Sequence, residues 1–203
     1  TSMKKKGLLL INLGTPRSPE TKEVRAYLRQ FLSDPRVIDI PAILRFLLLY
    51  FIILPFRSPR SSRAYKKIWF DNGSPLLHYS QVLKQKVERK LILTHDVALG
   101  MRYGSPSIAE ALNKVSHCDE IQVLPLFPQY ASSSYGTAVE EFLSQVKMKN
   151  NIPPFTILPT FYQDKTFISS YSDMIRNTLK ESPWDHILFS YHGLPERHLQ
   201  KSS

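Results

Sequence analysis

Short apolar runs that stop at a glycine or a proline alternate along this chain with segments of helical periodicity, and that alternation constrains the fold more than any other feature. Leu8 to Leu13 is bounded by Lys6-Gly7 and Gly14-Thr15-Pro16, so it reads as a buried strand followed by a loop. Ser18-Pro19 then supplies an N-cap and an N1 proline ahead of Val24, Tyr27, Leu28, Phe31 and Leu32, whose spacing marks one helix face. The same Ser-Pro start stands at Ser58-Pro59, Ser74-Pro75 and Ser105-Pro106, each before a segment of helical period. Further strands are predicted at Val37 to Ile40, Asp96 to Met101, Glu120 to Leu124, Phe155 to Leu158 and Ile187 to Tyr191. Further helices are predicted at Pro106 to Ser116, Tyr135 to Met148 and Lys165 to Glu181. Strands joined by helices of this length pair in parallel. The expected fold is therefore α/β with a doubly wound parallel sheet.

At 203 residues the chain can bury about 70% of its unfolded surface, enough for such a domain without staples. Its single cysteine, Cys118, excludes an internal disulfide framework and by itself holds neither zinc nor an iron-sulfur cluster, which points to a reducing, cytoplasmic compartment. Lys4-Lys5-Lys6 ahead of Gly7 to Ile11 imitates the start of a signal peptide, but Asn12 breaks the apolar run and no small-residue cleavage site follows. Thr1-Ser2 ahead of Met3 reads as a cloning remnant. The net charge of +10 favours an anionic partner. Outside Arg57 to Lys67 the basic residues are scattered, with no interleaved aromatic stripe, so nucleic acid is not expected. No G-x-G-x-x-G follows the first strand, and the ordinary dinucleotide fingerprint fails there.

Phe46 to Phe56 is the most apolar stretch, flanked by Arg45 and Arg57. It falls short of the about 20 residues a bilayer span needs. Two readings stand: a buried core helix, or a surface that meets an apolar ligand or a membrane interface. Arg60, Arg63 and Lys67 then share one helix face, either solvated or in contact with an anion.

The predicted strand Ile187 to Tyr191 runs directly into His192 and Gly193. Open α/β sheets bind ligands beyond the carboxyl ends of their strands, so His192 is either a strand-end residue satisfied by the backbone or a titratable ring placed where such a fold does chemistry. His186, His192 and His198 are evenly spaced, yet six residues of strand cover about 20 Å, so His186 and His192 cannot share one ion. Gly100 to Pro106 is a second strand-to-helix junction that places Arg102 and Tyr103 on the same rim, with Arg102 free to hold a carboxylate or to pair with a neighbouring acid. Leu126 to Ser134 is a third, carrying Tyr130 and serines of turn and capping type.

Ile11-Asn12-Leu13-Gly14-Thr15-Pro16, Asn72-Gly73-Ser74-Pro75-Leu76, Leu99 to Pro106, Leu124 to Tyr130 and Ser190-Tyr191-His192-Gly193-Leu194-Pro195 resemble, in order and across almost the whole chain, the N-terminal portion of the bacterial ferrochelatase family. The resemblance implies a chelatase-like, Rossmann-like architecture, with an N-terminal α/β domain over residues 1–183 and the first strand and loop of a truncated second, similar domain over 184–203, and it implies insertion of ferrous iron into protoporphyrin IX, the last step of haem biosynthesis. It also implies that Tyr65, Ser74, Arg102 and Tyr130 line the porphyrin pocket with Tyr103 beside them, that Leu13 touches the macrocycle's face, and that His192 is both the catalytic base and the ligand to the metal. The glutamate that faces this histidine in the family belongs to a second half that these 203 residues do not contain; Glu196 does not match it. The fragment alone is accordingly expected to be inactive. Fe2+ is a substrate in this reading, no tightly bound cofactor is expected, and the family's cluster cysteines find no counterpart in Ala131 to Ser134. Expected partners are protoporphyrin IX and ferrous iron, with peripheral contact to the inner membrane through Phe46 to Phe56. A tetrapyrrole-binding module without catalysis, and a chelatase for another metal or tetrapyrrole, stand as the alternatives.

Overall fold

The structure is a computed structural model that describes residues 5–182 and 184–196. Four strands, β1 (Lys6–Gly14), β2 (His95–Tyr103), β3 (Ile121–Pro125) and β4 (Phe155–Ile157), form one parallel sheet in the order β2-β1-β3-β4. The α/β class with a parallel sheet is thus as the sequence predicts. β1 is central, and it is also the most apolar strand because both its faces are covered. Leu9 and Ile11 face α5 (Ile108–Val115) and α6 (Thr137–Lys147), while Leu8 and Leu10 join Val97, Leu99 and Met101 in a layer closed by Leu77, Val87 and Leu91 from α4 (Pro75–Lys90) and its end. Phe142 of α6 is fully buried in the first layer, edge-on to Phe155.

A third cluster joins α1 (Thr21–Ser33) to a long helix that runs from α2 (Ala42–Leu47) through a π turn at Leu48–Ile53 into α3 (Leu54–Ile68). Val24, Tyr27, Leu28 and Leu32 of α1 meet Leu49 and Leu54 there, with Tyr103 from the end of β2. The apolar stretch Phe46 to Phe56 is therefore the middle of a continuous helix, and the core-helix reading is corrected. Leu49 and Leu54 are buried, but Phe46, Leu47, Tyr50, Phe51, Ile52 and Phe56 face outward. Among the described residues this helix, 42–68, is the segment long and apolar enough to cross a bilayer by length and composition, although its core stretch alone is shorter.

Several boundaries differ from the sequence reading, each for a local reason. Val37 to Ile40 forms no strand: the amides of Val37 and Ile38 donate to the Asp34 carbonyl, which makes a turn after α1. Ser18-Pro19 lies ahead of α1 rather than capping it, and Ser58-Pro59 falls inside α3, where the preceding turn carries the helix through. At Ser105-Pro106 the helix waits until Ile108, because Ser107 and Glu110 build a reciprocal capping box there. α7 (Lys165–Glu181) has the predicted bounds, starting at the Asp164 cap, but it buries none of its residues. Ile187 to Tyr191 is not a strand; a strand exists by its ladder, and no neighbouring strand is present among the described residues to pair with it. Leu188 is 94% exposed.

Candidate functional site

Beyond β1 and β3 the strand order reverses, since the chain steps from β1 to β2 on one side and then to β3 on the other. A doubly wound sheet opens a crevice at such a switch, outside the carboxyl ends of its strands. The loops that form the rim are drawn tight by two glycines. Gly14 holds φ 113°, and a Cβ on it would lie 1.8 Å from the Tyr103 carbonyl oxygen; Gly104 holds φ 83°, with a Cβ 2.6 Å from the Thr15 oxygen. Only glycine permits this close crossing of the β1 and β2 loops. Thr15 Oγ1 donates to Ser74 Oγ at 2.8 Å in a buried pair, which ties the β1 loop to the start of α4, and the Gly104 amide donates to Gln30 Oε1 of α1 at 2.9 Å.

The resulting cleft, about 870 Å³, is walled by Thr15, Pro16 and Arg17 from the first loop, Tyr27, Gln30 and Ser33 from α1, and Gly104 to Pro106 from the second loop, with Tyr50 from the long helix. Its volume lies in the range of small-molecule sites. Tyr27 donates to the Gly14 carbonyl at 3.3 Å, and burial first, then the neighbouring Tyr65 and Tyr103, holds its hydroxyl firmly protonated. Burial likewise raises the Tyr65 hydroxyl. Leu13 and Tyr65 both pack on the α1 cluster, and Tyr65 sits edge-on to Trp69 at 6.0 Å.

Arg102 and Tyr103 are spoken for by an acid that sequence reasoning missed. Asp34, buried at the end of α1, accepts from the Tyr103 hydroxyl at 2.7 Å, from Arg102 at 2.8 Å, from Thr137 Oγ1 at 2.5 Å and from the Arg36 amide at 2.8 Å. Burial alone would raise its carboxyl, but these donors and the Arg102 charge outweigh burial and hold it below the ordinary aspartate range. Of the two readings left open for Arg102, the structure shows the pairing with an acid. Tyr103 is 0% exposed, so it is a core side chain rather than a rim contact. Nothing in the local spacing links Asp34 to a partner 68 residues away; the one hint is an acid closing an apolar helix before Pro35.

The remaining predicted residues are dispersed. Ser74 is buried beneath the rim, and Tyr130 is half exposed, 5.6 Å from the Tyr135 ring. His192 stands exposed in a segment without regular structure, with open space around Gly193, and it is not among the residues that wall the cleft. The expected delivery of His192 by a strand end is thus not seen, because the strand itself does not form. His186 instead lies against α7 beside Met174 and Trp184. His198 lies outside the described residues.

Fold and rim together define a parallel α/β domain with a cleft at the switch of its sheet. The sequence model of the family described as ferrochelatase matches residues 5–203, and the chain belongs to that family. It is 48% identical over 198 residues to a ferrochelatase of Legionella pneumophila strain Philadelphia 1, covering 98% of this chain and 59% of the relative. It is 50% identical over 198 residues to a ferrochelatase of Coxiella burnetii strain RSA 493, covering 97% of this chain and 55% of the relative. The chain therefore spans little more than half the length of these curated relatives.

Proposed function

We propose that this protein takes part in the insertion of ferrous iron into protoporphyrin IX to form haem, and that this chain carries one half of the site. The observation that carries the reading is the family match across residues 5–203, joined to a cleft at the sheet's switch point. Insertion replaces two pyrrole N–H protons by one divalent ion, so a base must take protons as the metal arrives. His192 is the proposed base and first ligand to the iron. Leu13, Tyr65, Ser74, Arg102 and Tyr130 are the proposed pocket positions, with Tyr103 beside them, and three act here through the rim: Leu13 and Tyr65 by packing the wall behind Tyr27, and Ser74 by anchoring Thr15. Arg102 and Tyr103 serve as the buttress of that wall through Asp34.

Because the chain spans just over half of its relatives, the facing carboxylate is assigned to the other half, and the 203-residue chain alone is expected to insert little or no metal. A second reading, a tetrapyrrole-binding module without catalysis, is favoured by the exposed position of His192 outside the cleft. A porphyrin titration followed by absorbance, coupled to a zinc-insertion assay, tests both. The chain and its His192→Ala variant are expected to bind porphyrin alike and to insert zinc far more slowly than a full-length relative. Turnover equal to that relative would overturn the half-site, and absence of any porphyrin-induced spectral change would overturn the reading as a whole.

Peripheral membrane contact is proposed for the long helix. Leu49, Leu54, Ser58 and Ser62 are buried, and Ser62 donates to the Pro19 carbonyl at 2.6 Å, so this side of the helix is fastened to the domain. A helix fastened along one side lies on a bilayer rather than across it, with its outward phenylalanines in the interface and Arg45 and Arg57 at headgroup level. The cytoplasmic, inner-membrane-peripheral location is proposed on the same ground.

A further inference from the structure

Asp96, His117 and Cys118 bring a carboxylate, an imidazole and a thiol together, all donor atoms within 4.8 Å of one another. The cluster sits where the strands begin: Asp96 is the second residue of β2, and His117 and Cys118 form the turn between α5 and β3. The seven residue-to-residue steps of β2 from Asp96 to Tyr103 place it about 23 Å from the rim. His117 Nε2 lies 2.8 Å from Asp96 Oδ2 and 3.7 Å from Cys118 Sγ. Nitrogen-to-sulfur separations near 3.6 Å are what a tetrahedral ion with arms of about 2.0 Å to nitrogen and 2.3 Å to sulfur requires. The Asp96 to His117 pair is a little closer and would open by about half an ångström around an ion with the same arms.

We infer that Asp96, His117 and Cys118 form a second metal site, on the opposite end of the sheet from the cleft, for a divalent transition ion of the zinc class. The mixed oxygen, nitrogen and sulfur donors suit zinc, cobalt or ferrous iron and disfavour magnesium and calcium, which take oxygen alone. Binding proceeds with a simple balance. The Cys118 thiol releases its proton to solvent and becomes the thiolate ligand, His117 binds through Nε2 with its remaining proton on Nδ1, and Asp96 binds as the carboxylate through Oδ2. The fourth position is open to water, since the His117 side chain is 64% exposed. Lys5 Nζ holds Asp96 Oδ1 at 3.2 Å and so orients the carboxylate from outside the first coordination sphere. Burial, with Asp96 and Asp119 after it, raises the Cys118 thiol, so metal and proton compete at the sulfur.

Cobalt titration of the 203-residue chain reads this site selectively, because Cys118 is its only cysteine and a thiolate-to-cobalt band arises nowhere else. The expected result is a near-ultraviolet charge-transfer band with tetrahedral visible bands, saturating at a single cobalt per chain and bleached by zinc. His192→Ala should leave the band unchanged, which separates this site from the proposed iron site. His117→Ala removes an exposed side chain and leaves the core intact; it should weaken cobalt binding by about tenfold or more, the loss that even an outer partner of a ligand commands. Asp96→Asn should weaken it likewise, and Cys118→Ser should abolish the band. Absence of a thiolate band, or a band indifferent to both His117→Ala and Asp96→Asn, would overturn the inference and leave an Asp96–His117 ion pair beside a buried thiol.

Discussion

At the scale of single residues, Asp34 does the most to hold the rim. It joins three parts that are far apart in sequence, the end of α1, the end of β2 through Arg102 and Tyr103, and the start of α6 through Thr137. Removing one member of a buried, hydrogen-bonded charge pair leaves the other without compensation. Asp34→Ala is expected to destabilise the chain by on the order of 3 kcal/mol, read as a lowered denaturant midpoint with unchanged slope. The pH dependence has a definite sign. The carboxyl titrates lower in the folded state than in the unfolded one, so its contribution is complete above about pH 3.9 and is lost as pH falls through the lower folded value. Asp34→Asn should therefore be less stable at neutral pH and lose less of its remaining stability between pH 4 and pH 2 than the parent. Residues such as Gly14 and Gly104 were legible in the sequence as loop glycines, because a strand ends beside each; the carbonyl each one passes was not, since it comes from the neighbouring strand's loop. Asp34 was illegible for the same reason, its side-chain donors all lying far away in sequence.

At the scale of elements, the long helix 42–68 separates what pattern reveals from what it hides. The run Phe46 to Phe56 announces an apolar element, but a run apolar on every side carries no period, so it does not say which side meets the protein. The structure gives Leu49 and Leu54 to the core and leaves Phe51 67% and Phe56 77% exposed. Substituting both phenylalanines by serine should leave thermal stability within about 0.5 kcal/mol, as for most surface changes. The same double variant should lower binding to anionic phospholipid vesicles by tenfold or more, since each ring buried in the interface is worth about 2 kcal/mol. Unchanged vesicle sedimentation would remove the proposed membrane contact. By contrast α1 announces its buried face through regular spacing, and Val24, Tyr27, Leu28 and Leu32 occupy that face as the pattern requires. Ser-Pro is a local signal with two outcomes: it precedes a helix at Ser74 and interrupts none at Ser58.

For the whole molecule, burial is uneven. Two layers on the faces of β1 and a third cluster between α1 and the long helix are closed, whereas α7 and the segment from Trp184 onward cover little: α7 buries no residue, and Tyr171, Met174 and Leu188 are exposed. Few buried contacts mean low local opening free energy. Amide hydrogens of α7 are expected to exchange orders of magnitude faster than those of β1 and β2 in the 203-residue chain; equal protection would show that α7 docks more firmly than its exposure indicates. The parallel sheet and its flanking helices were readable from strand and helix alternation, because each strand there carries its own apolar run. The His192 strand was not, because pairing is a property of two strands and none of the four described strands pairs with Ile187 to Tyr191.

β4, three residues long, closes one side of the sheet, and its outer backbone meets no further strand among the described residues. Such a border is a template: it can receive an extended segment from elsewhere in a longer polypeptide, or, at high concentration, from another copy of itself. Whichever arrives first would set whether this domain stays solitary.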